Sequence, residues 1–241
     1  LHAQPGRLSP EQIRVVEESA ALVSAQIALS EVEAQQERLA EAELRALRAQ
    51  ISPHFVYNAL AAVASYIHTR PEEARELLTD FAEFTRYAFR GRPHVTLADE
   101  LRYVEKYLRL EQARFGDRLH VRLEVAPDIL TAVVPMLSVQ PLVENSVRHA
   151  VEQQQGRSTI EIVGHDLGPD VELRVHDDGP GIADPAAALA GRDGGVGLAN
   201  VDGRLRQTFG EGYGLRIESA PGAGTTVILT APKFRAGVRA V

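Results

Sequence analysis

The chain has 241 residues, of which 44% are hydrophobic and 24% charged, and its formal net charge is −7 at pH 7. This acidic balance gives no electrostatic reason to expect direct binding to nucleic acid or to an anionic membrane, and the absence of cysteine excludes disulfides and thiolate metal sites. No apolar run approaches the roughly 20 residues that a membrane-spanning helix needs, so we expect a cytoplasmic module. Because the chain opens on Leu1 instead of methionine, we expect it to be cut from a longer protein with a membrane-attached or fused sensor domain.

Residues 1–43 are predicted to form a signalling helix. Its first half carries an apolar stripe with steps of three and four residues, which suits a two-stranded coiled coil: Ile13, Val16, Ala20, Val23 and Ile27. Beyond Ile27 the heptad weakens in a stretch rich in Glu and Gln over residues 31–43. A charged, solvated helix therefore stays open beside the coiled coil.

Residues 44–94 predict a helical hairpin, with one helix over 44–67, a second over 72–89 and a turn at Arg70 and Pro71. The apolar side of the second helix is expected to carry Leu77, Leu78, Phe81, Phe84, Thr85 and Ala88. Two antiparallel helices cannot bury both faces alone. We therefore expect a homodimer in which two hairpins form a four-helix bundle.

The segment QISPHFVYN at residues 50–58 lies in this hairpin. Pro53 has no amide hydrogen, so the helix is expected to kink or restart around Ser52 to His54. His54 then lies one helical turn before Asn58. Taken alone the segment is a weak motif, and a solvated histidine at a helix boundary stays open.

Residues 95–234 predict an α/β domain, and residues 235–241 a C-terminal tail. A helix is expected over 97–115 and an alternating strand over 119–125. Further strands are predicted at 159–163, 171–176, 215–219 and 226–229, and helices at 139–151 and 198–209. This order favours helices that cover one face of a largely antiparallel sheet.

Three motifs follow in that domain: PLVENSVRHAV at 141–151, DDGPGI at 177–182 and GGVGLANVDGRL at 194–205. Asn145 can offer an oxygen to Mg²⁺, a hard cation that prefers such ligands, and Glu144 could order a water or accept a proton. Asp177 can accept a hydrogen bond from an amine, although DDGPG read alone is more often just a surface turn.

The third motif is a glycine-rich loop that leads into a helix, where exposed amides and the helix dipole suit a triphosphate. The sequence has no Walker-type phosphate-binding loop, so a bound triphosphate would need a site of this other kind. A flexible linker is the alternative. Thr225, after the last glycines, either touches phosphate or belongs to an ordinary hairpin turn.

These three motifs together with QISPHFVYN closely resemble the LytS-type sensor histidine kinases, over residues 41–232. The resemblance implies an α+β protein: a dimerisation hairpin followed by an ATPase domain of the gyrase, Hsp90, histidine kinase and MutL superfamily. It implies ATP and Mg²⁺ as cofactors and a response-regulator receiver domain as partner. Asn145 then binds the metal and Asp177 the adenine. The nucleotide candidates are Asn145, Arg148, Asp177, Gly179, Gly181, Gly195, Gly197, Leu198, Asn200 and Thr225.

By the same resemblance His54 is the residue that takes the phosphoryl group. The catalytic candidates are His54, Glu144 and Asn58, the last as an amide that could hold a water during dephosphorylation of the partner. Phe55 stands where commoner histidine kinases carry an acidic residue, so the proton acceptor stays open. Two alternatives to a kinase are a catalytically silent ATP-binding relay module and an ATP-driven clamp.

Overall fold

The computed structural model describes residues 52–88, 93–191, 196–235 and 237–240. They belong to a single unit, Ser52–Val241. The predicted signalling helix over residues 1–43 lies outside the described residues. Within the described ranges, no helix combines the length and the apolar character needed to cross a bilayer.

The hairpin consists of α1 (Pro53–Tyr66) and α2 (Pro71–Ala88). Both helices begin on a proline, which suits the first helical position because the amide there has no helical partner. Helix α2 therefore starts one residue earlier than predicted, and its predicted last residue, 89, lies outside the described residues. The side of α2 that packs within the chain carries the buried Ala74, Leu77, Asp80, Phe84 and Ala88. Leu78, also predicted on the apolar side, is 50% exposed in the single chain.

Helix α3 (Leu97–Phe115) has the predicted bounds, and Thr96 caps it by accepting the amide of Asp99 at 3.2 Å. It packs on the hairpin through aromatic rings. Phe84 of α2 stacks on Tyr103 with ring centroids 4.5 Å apart, and Phe55 of α1 lies 5.1 Å from Tyr107. The chain thus covers part of the hairpin's apolar surface with its own third helix.

Ion pairs reinforce the contact between α2 and α3. The buried Asp80 lies 3.3 Å from Lys106 and 3.2 Å from Arg109. Lys106 also pairs with Glu83, and Arg109 lies 3.0 Å from Glu76. The hydrogen bond to Glu83, followed by those to Asp80, raises the pKa of Lys106, which keeps this lysine charged.

The main sheet has five strands: β2 (Leu119–Val125), β4 (Ser158–Asp166), β5 (Asp170–Asp177), β6 (Gly214–Ser219) and β7 (Thr225–Pro232). Their order in the sheet is β2-β4-β5-β7-β6, and β2 and β4 form its one parallel pair. A separate ribbon pairs β1 (His94–Thr96) with β3 (Val133–Pro135). The three-residue strands of the ribbon were not predicted, because they are too short for an alternating pattern.

The helices of this domain are α4 (Gln140–Ser146), α5 (Pro185–Leu189) and α6 (Val196–Phe209). The core contains buried apolar residues of α4 and α6, such as Leu142 and Leu205, and buried sheet residues, such as Ile162 and Leu173. The α+β fold is therefore confirmed. The short helix α5 was not predicted.

Glu100 of α3 organises the turn ahead of α4. Its fully buried carboxylate accepts the amides of Leu137 at 2.6 Å and Val139 at 2.9 Å, and the hydroxyl of Tyr87 at 3.0 Å. Burial raises the pKa of Glu100, while the two amides act in the opposite direction. Leu137 has φ 58°, a conformation that side chains other than glycine rarely adopt, so the turn depends on these bonds.

Replacing Glu100 with alanine should lower the free energy of unfolding by about 3 kcal/mol, because two amides and one hydroxyl lose their acceptor at about 1 kcal/mol or more each. Urea denaturation measures this. Arg102→Ala, which removes the exposed pair with Asp99 on the same helix, is the control and should change stability by less than about 0.5 kcal/mol. Equal effects of the two variants would show that Glu100 does not hold the turn.

Candidate functional site

A cavity of about 210 Å³ lies where α1, α3, α4 and α6 meet. We call it the shared cavity, since it is lined by predicted site residues from both halves of the described unit: His54, Glu144, Asn145, Arg148, Gly197 and Leu198. In sequence, His54 is 90 residues from Glu144. The fold therefore brings the hairpin histidine to the residues of the PLVEN and glycine-loop motifs.

His54 lies in the first turn of α1, exposed to solvent. The side-chain nitrogen of Asn58 lies 3.0 Å from its Nδ1 and 3.4 Å from its Nε2. Which ring nitrogen accepts depends on the tautomer of the histidine. Asn58 is thus placed to hold the orientation of the ring.

Phe55, the residue after His54, is only 5% exposed. Its ring lies 4.8 Å from Phe84 and 5.1 Å from Tyr107, and both Phe55 and Tyr107 line the shared cavity. This packing fixes the start of α1 against α3. The histidine therefore projects from an anchored helix.

The helix predicted over 139–151 is not uniform. It is α-helical over Gln140–Ser146 and continues as a π-helical turn over Val147–Val151. Such turns contain a wider backbone ring and often occur at functional sites. Arg118 donates to the carbonyl of Val151 at 2.6 Å and fixes the end of the turn. The motif residues Glu144 and Asn145 are thus in the regular part, and Arg148 in the π turn.

Three carboxylates line the shared cavity: Glu144 of α4, Glu111 of α3 and Glu152, which follows the π turn. Burial raises the pKa of Glu144 and that of Glu111 to about 7. Glu144 accepts a hydrogen bond from Gln140. Glu111 lies 3.2 Å from Arg114, which also pairs with Glu152 at 2.9 Å.

The motifs did not identify Glu111 and Arg114, which lie on a helix without a recognisable signature. One signal was present in the sequence. Glu111 continues the apolar stripe Leu97, Leu101, Val104 and Leu108 at helical spacing, and an acidic residue in such a stripe is either paired or functional.

The neighbouring aspartates at the end of β5 differ in their hydrogen bonding. Both oxygens of Asp178 lie 2.9 Å from the amide of Thr159. Asp177 is 1% exposed, and its Oδ1 accepts the amide of Gly179 at 3.1 Å. Its Oδ2 is buried and has no hydrogen-bond partner among the described residues. Burial raises the pKa of Asp177, while the hydroxyl of Ser146 and the amide of Gly179 act in the opposite direction. The open Oδ2 is the acceptor that suits a ligand amine.

The glycines of this turn are required by the protein's own packing. A Cβ on Gly181, which has φ 74°, would lie 1.9 Å from the carbonyl oxygen of Ala220. A Cβ on Gly179 would lie 2.7 Å from Asp177 Oδ1 and 3.1 Å from the Cα of Ala150. The packing of the protein therefore requires glycine at both positions, in addition to any close approach of a ligand ring. The short distance between Gly179 and Ala150 also means that the turn lies against the π-helical end of the PLVEN motif.

The remaining candidates lie at different places. Gly197 and Leu198, in the first turn of α6, line the shared cavity, and Asn200 is exposed on the same helix. Gly195 lies outside the described residues. Thr225 is buried with its hydroxyl 3.1 Å from that of Ser219, so its observed contact belongs to the β6–β7 pair. Asp177, Gly179, Gly181 and Thr225 do not line the shared cavity.

Two family models match the chain. The first, "Histidine kinase", matches residues 42–119. The second, "Histidine kinase-, DNA gyrase B-, and HSP90-like ATPase", matches residues 135–235. The second match implies ATP binding.

Similar proteins include sensor kinases along most of the chain. Sensor protein LytS of Bacillus anthracis is 34% identical over 95% of this chain and 40% of its own length. Sensor histidine kinase BtsS of Escherichia coli K12 is 34% identical over 88% and 37%. Sensor histidine kinase/phosphatase LytS of Staphylococcus aureus MRSA252 is 34% identical over 96% and 41%. The chain spans about two fifths of the length of these relatives.

The two aspartates give a test of the nucleotide site. Asp177→Asn should weaken ATP binding by about 10-fold or more, because a buried hydrogen bond to a charged acceptor contributes about 1.5–3 kcal/mol. Asp178→Asn, its neighbour in the same turn, should change the affinity less than about threefold. Isothermal titration with ATP measures both. A weaker affinity for Asp178→Asn than for Asp177→Asn would reverse the assignment.

Proposed function

The chain belongs to the LytS-type sensor histidine kinases, and we propose that it transfers the γ-phosphoryl group of ATP to His54 and then to an aspartate of a response-regulator receiver domain. The observation that carries this proposal is the shared cavity, in which His54 meets Glu144, Asn145 and the first turn of α6. Membership of the family implies a dimer and a response-regulator partner in general terms.

The adenine and phosphate ends of ATP are assigned to different places. Asp177, with its open buried oxygen, accepts the adenine amine. The triphosphate would extend toward the shared cavity, which Gly197 and Leu198 of α6 line. Asn145 and His54, which line the same cavity, would then face the γ-phosphate.

Asn145 is assigned as the ligand of Mg²⁺. The described residues contain no cluster of three or more His, Cys, Asp or Glu side chains that could hold a metal, which fits an ion that takes one amide oxygen and otherwise keeps waters and phosphate oxygens. Mg²⁺ would neutralise charge on the transferred phosphoryl group.

The imidazole of His54 attacks phosphorus through the nitrogen that carries the lone pair. An amide can serve either ring tautomer, because its nitrogen donates and, after it turns, its oxygen accepts. Asn58 can therefore present Nε2 as the nucleophile by accepting the proton of Nδ1. As the bond between nitrogen and phosphorus forms, the bond to the β–γ bridging oxygen breaks and ADP leaves. The ring then loses that proton, and the carboxylates of the shared cavity that can receive it are Glu144, Glu111 and Glu152.

Autophosphorylation of the chain with γ-labelled ATP and Mg²⁺ tests the function. We expect label that is acid-labile and alkali-stable, because a phosphorus–nitrogen bond has this stability and the phosphoesters of Ser, Thr and Tyr do not. We expect its loss in His54→Ala, which identifies the nitrogen as that of His54. His68→Ala, an exposed histidine beyond the end of α1, is the control and should label like the wild type. ATP binding without any label would favour the silent relay module, and label in His54→Ala would refute the choice of residue.

Asn58 supports a second activity, dephosphorylation of the response regulator. The observations that favour it are the contact of Asn58 with His54 and the name of the S. aureus relative, which includes phosphatase. An amide in this place can hold a water in line with phosphorus on the partner.

Replacing Asn58 with alanine should slow regulator dephosphorylation about 100-fold, because the attacking water loses its orientation. Autophosphorylation should fall less than about 10-fold, since an exposed hydrogen bond contributes about 1 kcal/mol. Release of phosphate from phosphorylated regulator measures the first rate, and labelling of the chain the second. Unchanged dephosphorylation would exclude this role of Asn58.

A further inference from the structure

We propose that His54 receives its phosphoryl group from the nucleotide bound to the same chain. This inference rests on the proposed kinase function and adds which copy of the histidine is the substrate of each ATP site. In a dimer, the alternative is transfer from one chain to the histidine of its partner.

The shared cavity is the first observation. Its hairpin side consists of residues of α1, including His54, and the opposite side of Asn145, Arg148 and Gly197. All of these residues belong to one chain. A single copy therefore supplies both the acceptor and the residues assigned to the phosphates.

The packing of Phe55 is the second observation. This residue directly follows His54, and its ring is buried between Phe84 of α2 and Tyr107 of α3. Tyr107 itself lines the shared cavity. To reach the nucleotide of a partner, His54 would have to carry Phe55 out of this aromatic contact or move together with α3 and the domain that follows it.

The ion pairs between α2 and α3 oppose such a movement in the same way. Asp80 is buried and lies between two cations of α3, Lys106 and Arg109. Separation of the hairpin from α3 would leave this carboxylate without both cations. The hairpin is therefore held to its own nucleotide-binding half on two sides, by rings near α1 and by charges along α2.

A dimer is compatible with this arrangement. Among the described residues of the hairpin, the large apolar side chains that remain exposed after packing against α3 are Tyr57, Leu60, Ile67 and Leu78. None of them lines the shared cavity. A second hairpin can cover them without displacing His54 from the cavity.

Mixed dimers provide the test. The full 241-residue chain is co-expressed in two forms with different affinity tags, and species that carry both tags are purified in sequence and incubated with γ-labelled ATP and Mg²⁺. One mixture combines wild type with the double variant His54→Ala, Asn145→Ala. The other combines His54→Ala with Asn145→Ala. Circular dichroism and gel filtration check that the Asn145→Ala chain is folded, and its homodimer must stay unlabelled.

Transfer within one chain predicts that the first mixture labels its wild-type chain at the wild-type rate per chain, and that the second mixture stays unlabelled. Transfer between chains predicts the reverse, with label on the Asn145→Ala chain of the second mixture, and would overturn the proposal. If gel filtration shows that the chain is a monomer and no mixed species forms, transfer within one chain predicts a rate per chain that is independent of protein concentration, and a rate that rises with concentration would overturn the proposal. Absence of label in the wild-type homodimer would refute the kinase function itself.

Discussion

The buried carboxylate of Glu100 is the interaction on which the relative placement of the elements depends. An ionisable group that is fully removed from water is unfavourable unless hydrogen bonds replace its hydration. Here they come from the end of α2, through Tyr87, and from the turn before α4, through Leu137 and Val139. Arg204 of α6 donates to the carbonyls of Met136 and Leu137 at 2.6 and 2.7 Å. Four elements therefore meet at one turn.

Helix α3 owes its central position to burial on more than one side. Its buried residues include both aromatic and aliphatic side chains as well as two glutamates: Leu97, Glu100, Leu101, Tyr103, Val104, Tyr107, Leu108, Leu110 and Glu111. The aromatic members contact the hairpin, whereas Glu100 binds the turn before α4 and Glu111 faces the shared cavity. The distance between His54 and Asn145 is consequently set by α3, although neither residue belongs to it.

The sequence predicted the elements whose patterns are long enough to repeat. Helix α3 and strand β2 have their predicted bounds, and the four other sheet strands were found with short extensions. The ribbon of β1 and β3 was missed because three residues do not establish a period. The π turn after Ser146 was missed because its residues have the apolar spacing of an ordinary helix. Motifs found His54 and Asn145 separately, but their meeting in one cavity depends on tertiary contacts of Phe55 and Glu100 that no local pattern encodes.

The apolar residue after the histidine has a physical explanation in this packing. Position 55 lies 5% exposed beside the rings of Phe84 and Tyr107, where an ionised carboxylate would find no donor and would cost several kcal/mol. The same position cannot both anchor α1 to α3 and supply a charged proton acceptor. Anchoring is the role that the structure gives to Phe55. For the transfer that we propose, the candidate proton acceptors lie across the cavity, where helices α3 and α4 place Glu111 and Glu144. The packing of α1 against α3 thus explains why Phe55 stands at the position where commoner histidine kinases carry an acidic residue.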